Sequence, residues 1–395
     1  MYKILFIANE YQTGGATKSL IGLAKCLKEK FNLEPIIFVN KIGYLTDMCE
    51  KYSIKYYKIS YKPFAIGAGN TKFRKLIKKI LLPIFKIRHI IFTKIALKQA
   101  KKILVENKID IIHTNTNRDD FGVILAKRYN IPHIWHLREF GENDYECIFL
   151  RKDYINYMNK FTTKFIAISN VIKDYFINKG IEKNKIELIY NGIHINQKTS
   201  KKNISNDNKM KIVFLGGICN NKGQYQLIDS MEYLPKEVRN NIIIDFYGSG
   251  SEKYINYLKS KVESLKLGNN IKFHGYCNDI DEKINIYDVG IMCSKSEAFG
   301  RVTVEYMANN LITIASDTGA NPELIDNGKN GFLYKYDNVK SLADVLLTVY
   351  NLPKADRDTI IENGYLTSRR FSDKNNALNI YNLYKKILNK TKEVY

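Results

Sequence analysis

No stretch of this chain stays apolar for the roughly 18 positions that a bilayer-spanning helix needs, so no transmembrane anchor is expected. The opening run Met1–Ala8 is too short for a signal peptide and meets Asn9 and Glu10 at once, which suits a first buried strand. Cysteines are scattered. Cys26, Cys49, Cys147, Cys219, Cys277 and Cys293 form no CxxC pair and no Cys/His cluster at metal-ligand spacing. A zinc module and a disulfide framework are excluded on that ground, and reduced, mostly buried thiols in a cytoplasmic protein are expected. The dinucleotide fingerprint G-x-G-x-x-G is missing too. After the first apolar run the chain reads Asn-Glu-Tyr-Gln-Thr-Gly14-Gly15, and after the first run of the second half Gly216-Gly217-Ile-Cys-Asn. An NAD-dependent dehydrogenase is therefore not the reading.

Acidic residues are scarce, 40 against 62 Lys and Arg, for a formal charge of +22. Heavy use of Lys, Ile, Asn and Tyr along the whole chain accounts for part of this. One segment exceeds that background: residues 71–102 hold eleven Lys or Arg and no acid, interleaved with Leu, Ile and Phe. A basic amphipathic stretch fits an anionic membrane surface, the alternative being ordinary helices with a solvated basic face. No nucleic-acid reader motif accompanies the charge, so nucleic acid is not an expected partner. With 45% hydrophobic residues the chain has ample material for cores, and its length suits two α/β domains.

Short β-rich apolar runs alternate with helical patterns, twice. The first half has strands at Lys3–Ala8, Glu34–Val39, Ile109–His113, His133–His136 and Lys164–Ile168, with helices at Ala16–Lys30 and Asp119–Asn130. After a polar stretch at 196–210 the alternation restarts with Lys211–Leu215, Ile242–Phe246, Ile271–His274, Val289–Cys293 and Leu311–Ala315. Helices at Val339–Tyr350 and Asp373–Leu388 close the chain. The pattern predicts two doubly wound parallel sheets, a domain over 1–195, a linker over 196–210 and a second domain over 211–372. Ligands of such sheets bind at the carboxyl ends of the strands, so a cleft between the two domains is the expected site.

Chemistry concentrates in Ser294–Glu323. Glu297 falls in the loop after a buried strand, Gly300 marks the turn into the next helix, and Glu305 lies a turn or so into it. Backbone N–H groups of Phe299, Gly300 and Arg301 then sit at a helix N-terminus, a natural seat for a diphosphate. Arg301 adds a cationic fork for phosphate oxygens. Glu305 can accept from a ribose diol, and Glu297 can touch a transferred sugar.

This E-x7-E segment, with Phe-Gly inside it and Asp317…Gly319…Pro322-Glu323 behind it, resembles glycosyltransferase family 4, the retaining GT-B glycosyltransferases. Gly14-Gly15, His136 at a strand end, Ser169-Asn170, Asn191-Gly192, Gly216 with Lys222-Gly223, and Gly248-x-Gly250 fall in the family's order, so the resemblance spans about residues 2–390. It implies a GT-B fold, two Rossmann-like domains facing across a cleft, with a helix at 373–395 packing back on the first domain. It implies that Gly14 and Gly15 let a loop approach the donor phosphate, that Gly216 and Lys222 hold the diphosphate, and that His136 and Glu297 act at the donor sugar.

Three positions depart from the family. Gly217 stands where an arginine is usual, and Arg301, where an aliphatic residue is common, is expected to replace the lost charge. Asn310-Leu311-Ile312 replaces a Gly-x-Pro turn, and Ala320 a second glycine. Asp279-Ile-Asp281 has the letters of a DxD metal motif but reads as a helix start. No metal or other cofactor is expected, and leaving-group charge would be met by Lys222, Arg301 and helix N–H groups.

The expected activity is transfer of a hexose-type sugar, with retention, from a UDP- or GDP-linked donor to a lipid-linked saccharide. The setting expected is bacterial surface polysaccharide synthesis (capsule, O-antigen or exopolysaccharide), on the inner face of the cytoplasmic membrane. A GT-B epimerase acting on the nucleotide sugar, or a non-catalytic sugar-nucleotide-binding partner of a membrane assembly, are the alternatives.

Overall fold

A computed structural model describes residues 1–9, 12–69, 72–142, 146–195, 209–277 and 279–393. Residues 196–208 of the expected linker lie outside these, as does Thr71 of the basic segment. The chain forms two compact units, Met1–His194 with Asp373–Tyr395, and Ile195–Ser372.

The first unit is built on a seven-stranded parallel sheet. Its strands are β1 (Lys3–Ala8), β2 (Glu34–Val39), β3 (Lys55–Lys58), β5 (Ile111–Thr114), β6 (His133–Leu137), β8 (Lys164–Ala167) and β9 (Ile186–Leu188), in the order β3-β2-β1-β5-β6-β8-β9. β4 (Ala65–Gly67) and β7 (Cys147–Phe149) form a separate antiparallel pair. The helix α1 (Gly15–Phe31) buries Leu20, Leu23, Ala24 and Leu27, a single stripe at helical spacing. It ends at Asn32, whose left-handed backbone (φ +52°) turns its N–H back to the Leu27 carbonyl.

Beside α1 on the same sheet face lies the last helix, Asp373–Glu393, burying Ala377, Ile380, Tyr384 and Ile387 among Ile4, Phe6 and Ile134. Asn191-Gly192, one of the motifs in the family's order, seats this helix. Asp373 donates its N–H to the Ile193 carbonyl (2.9 Å) and Asn376 its amide to the Tyr190 carbonyl (2.6 Å). A β-carbon on Gly192 would stand 2.8 Å from Asp373 Cα. The opposite sheet face is covered through Ala96, Ala100, Leu104, Phe121 and Leu125.

The basic segment forms the helices α3 (Lys72–Ile80) and α4 (Leu82–Asn107), following α2 (Tyr44–Lys51). α3 buries no residue, and α4 buries only Ala96, Ala100, Leu104 and Asn107 in its second half. Phe73, Leu76, Ile80, Ile84, Ile87 and Ile90 are each more than half exposed. No described helix is long and apolar enough to cross a membrane.

The second unit has a six-stranded parallel sheet. The strands are β10 (Met210–Leu215), β11 (Ile242–Tyr247), β12 (Ile271–Gly275), β13 (Val289–Met292), β14 (Ile312–Ser316) and β15 (Phe332–Tyr334), in the order β12-β11-β10-β13-β14-β15. Met210, assigned to the linker by composition, starts β10. Two Rossmann-like units are thus present, as the alternating pattern predicts. The thiols are less hidden than expected: Cys49, Cys147 and Cys293 are buried, Cys26 and Cys277 half-buried, and Cys219 exposed.

Candidate functional site

In both sheets the winding direction reverses next to the first strand, between β1 and β5 in one and between β10 and β13 in the other. Loops leaving the carboxyl ends of those strands diverge there and leave a crevice. Of the expected site residues of the second unit, Gly216, Lys222, Glu297, Phe299 and Gly300 sit on these two loops, Gly216–Lys222 after β10 and Cys293–Gly300 after β13, and Arg301 and Glu305 on the helix that follows.

Glycines let the two loops meet. Gly223 has φ +67°, and a β-carbon there would run into the Cys293 carbonyl. Lys295 N–H donates to the Asn221 carbonyl (2.9 Å), and the Gln226 amide to the Cys293 carbonyl (3.1 Å). These bonds set Lys222 against Glu297, and the two side chains form an ion pair. Gly248 and Gly250 of β11's exit loop support the β10 loop from the far side. Gly216 N–H donates to the Tyr247 carbonyl (3.0 Å), Ile218 N–H to the Ser249 carbonyl (2.8 Å), and a β-carbon on Gly248 would overlap the Gly216 carbonyl.

Glu297 is clamped from behind. Thr318 Oγ1 and Ser316 Oγ both donate to the Ser294 carbonyl (2.8 and 2.7 Å), and Ala320 N–H donates to the Glu297 carbonyl (2.9 Å). Gly319, at φ +58°, lies directly on the Glu297 backbone. The Asp317–Ala320 stretch therefore positions a carboxylate, a role the sequence alone did not assign to it.

The helix Arg301–Ala308 begins at Gly300, which has φ +83° and brings no capping side chain. The dipole at a helix N-terminus favours an incoming anion. Arg301 Nε donates to Glu305 Oε1 (2.8 Å), one turn on, with both side chains mostly buried. The cation expected to grip phosphate and the carboxylate expected to hold ribose are thus partners in this structure. Phe299 is buried with its ring against Phe371 (5.7 Å), so any ligand contact from it comes through its backbone. Gly217 is open: the nearest atom to a β-carbon there is the Ser249 carbonyl at 3.8 Å, so packing does not forbid a side chain.

The first unit's crevice holds Gly14 and Gly15 after β1. Gly14 has extended backbone (φ −170°) and, among the described residues, nothing within 4 Å of a β-carbon. Neither fold strain nor internal crowding demands a glycine there. His136, at the end of β6, is fully buried, its Nδ1 3.0 Å from His113 Nε2. His113 Nδ1 in turn lies 2.6 Å from the Tyr384 hydroxyl. Burial, and then the Arg138 charge, push both histidines well below the usual imidazole range, so both are neutral. Arg138 is fixed by the Asn115 carbonyl and side chain (both 3.0 Å) and by Asn191. Sequence reading missed His113, Tyr384 and Arg138; the available signal was a polar residue ending each of two otherwise apolar strands.

Among the described residues no group of three or more His, Cys, Asp or Glu side chains is placed to hold a metal ion. Asp279 sits at the N-cap of the short helix Ile280–Lys283. Hydrogen bonds from Cys277 and Lys283 bring its carboxyl down to about 2.

Comparison with known proteins covers nearly the whole chain. The family described as Glycosyltransferase Family 4 matches residues 13–197, and Glycosyl transferases group 1 matches residues 195–367. The capsular polysaccharide biosynthesis glycosyltransferase CapH of Staphylococcus aureus is 25% identical over 82% of this chain and 84% of its own. The Escherichia coli UDP-Gal:alpha-D-GlcNAc-diphosphoundecaprenol alpha-1,3-galactosyltransferase is 25% identical over 63% of this chain and 68% of its own. Among solved structures, HepE of Anabaena, crystallised with UDP and glucose, superposes with a TM-score of 0.77 at 23% identity over 98% of this chain and 100% of its own. That likeness establishes the GT-B fold.

Proposed function

Because the chain belongs to glycosyltransferase family 4, we propose that it transfers a hexose-type sugar, with retention, from a nucleoside-diphosphate donor to a lipid-linked saccharide. The observation that carries the reading is the meeting of four charged groups around one helix start: Lys222 with Glu297, and Arg301 with Glu305. In the donor complex Lys222, Arg301 and the N-terminus of the helix Arg301–Ala308 face the diphosphate, Glu305 the ribose, and Glu297 the sugar. The acceptor oxygen bonds to the sugar's anomeric carbon as the bond to the diphosphate breaks, and a donor phosphate oxygen takes the acceptor proton. The departing charge meets lysine, arginine and fixed N–H dipoles, with no metal ion needed.

The acceptor reading rests on the exposed basic and apolar faces of α3 and α4. Apolar side chains enter the headgroup boundary while lysines meet anionic lipid. This suits a peripheral enzyme at the inner face of a bacterial cytoplasmic membrane, in capsule or related polysaccharide synthesis. CapH is named for capsular polysaccharide biosynthesis, and the E. coli galactosyltransferase for a GlcNAc-diphosphoundecaprenol acceptor. The test is transfer of labelled sugar from UDP- or GDP-linked donors to a polyprenyl-diphosphate saccharide, beside co-sedimentation with anionic vesicles at low salt. Label remaining in the donor would refute the activity; protein remaining in the supernatant would refute the membrane half.

A further inference from the structure

Tyr384, His113 and His136 form a buried chain from the last helix to the end of β6. The Tyr384 hydroxyl, with the whole residue 1% exposed, has His113 Nδ1 as its partner at 2.6 Å. If it accepted that hydrogen bond, its own hydrogen would be buried without an acceptor, which is costly. It therefore donates, and His113 Nδ1 carries no proton. A neutral imidazole then has its proton on Nε2, which donates to His136 Nδ1 at 3.0 Å. That leaves His136 with its own proton on Nε2, a buried atom with no hydrogen-bond partner among the described residues.

We propose that Tyr384 and His113 are positioning residues that lock His136 as the Nε2–H tautomer, presenting an N–H donor to a saccharide hydroxyl or ring oxygen. The inference rests on the glycosyltransferase reading above and adds to it a direction: His136 orients sugar oxygen by donating and takes no proton from the acceptor. A buried donor with no partner among the described residues holds a place for a ligand oxygen. The locking group sits about 250 residues away in sequence, on a helix that no donor-loop motif includes.

Nitrogen-15 histidine spectra read tautomers directly, and six histidines keep the assignment tractable. In the full-length wild type, His113 and His136 are both expected as Nε2–H. Tyr384→Phe removes the fixed donor, so the Nδ1–H form of His136 becomes populated. The turnover number then falls about tenfold with donor KM nearly unchanged, as expected for a lost buried hydrogen bond. A wild-type spectrum with His136 as Nδ1–H overturns the proposal without any variant. So does a Tyr384→Phe protein that loses turnover with its tautomers unchanged, since that assigns Tyr384 a packing role alone. Failure of the wild type to transfer sugar from any donor refutes the glycosyltransferase reading and leaves the tautomer result standing.

Discussion

Replacing Gly319 by alanine should disable turnover while leaving the protein folded. A β-carbon at 319 would stand 2.5 Å from the Glu297 carbonyl oxygen, where ordinary contact begins at 3.4 Å. It would also press on the Glu297 amide nitrogen. Both obstacles are backbone and cannot rotate away, so Glu297 must shift by about 0.9 Å, the difference between those two distances. A displacement near 1 Å in a positioned catalytic group can cost roughly 100-fold in rate. The left-handed backbone at φ +58° adds roughly 1–2 kcal/mol of strain for a residue with a side chain. In a domain of this size that lowers Tm by about 2–8 °C. Steady-state transfer and thermal unfolding of Gly319→Ala check the two parts separately. A folded variant with kcat within about threefold of wild type would refute the claim that the Asp317–Ala320 stretch positions Glu297.

Other outcomes follow from the same geometry. Lys222→Ala removes the Glu297 partner and a diphosphate cation, and should lower kcat/KM by at least roughly 100-fold in steady-state assays. Arg301→Ala should raise the donor KM about tenfold; full donor affinity would show that Arg301 does not replace the charge missing at Gly217. Gly217→Arg, at a position with open space, should tighten nucleoside-diphosphate binding, measurable by calorimetry, with the fold intact. Burial lowers His133 from 6.5 to about 3, so below pH 6.5 the unfolded chain binds a proton the native chain refuses. Its contribution is complete above pH 6.5 and lost as pH falls toward 3, by up to about 1.4 kcal/mol per pH unit. His113 and His136, also held neutral by burial, add to that slope in the same direction, so denaturant titrations at pH 7, 6 and 5 should show it, and His133→Gln should lower it by one histidine's share without abolishing it.

Much of the fold was legible because parallel strands buried on both faces read as unbroken apolar runs. β1, β2 and the helix Val339–Tyr350 fall at their expected bounds. Elements with thin apolar signals were not read. The helix Lys354–Arg369 buries only Ile360, Gly364 and Ser368, and the edge strand β3 (KYYK) buries no residue. β15 is three residues long. At the candidate site, Glu297, Arg301 and Glu305 were found because one short segment carries them all. The Lys222–Glu297 pairing needed the β10–β13 reversal, which brings residues 75 apart in sequence together. The histidine chain was hidden for the same reason: its members lie on β5, β6 and the last helix, and nothing local marks Tyr384 as other than a core residue.

Calorimetric titration of a nucleoside diphosphate into the wild type and Lys222→Ala tests the central claim most directly. Saturable binding by the wild type, weakened about tenfold or more in the variant, is the predicted result. Equal binding by both proteins, or none by the wild type, would contradict the assignment of this charged helix start as the donor's diphosphate seat.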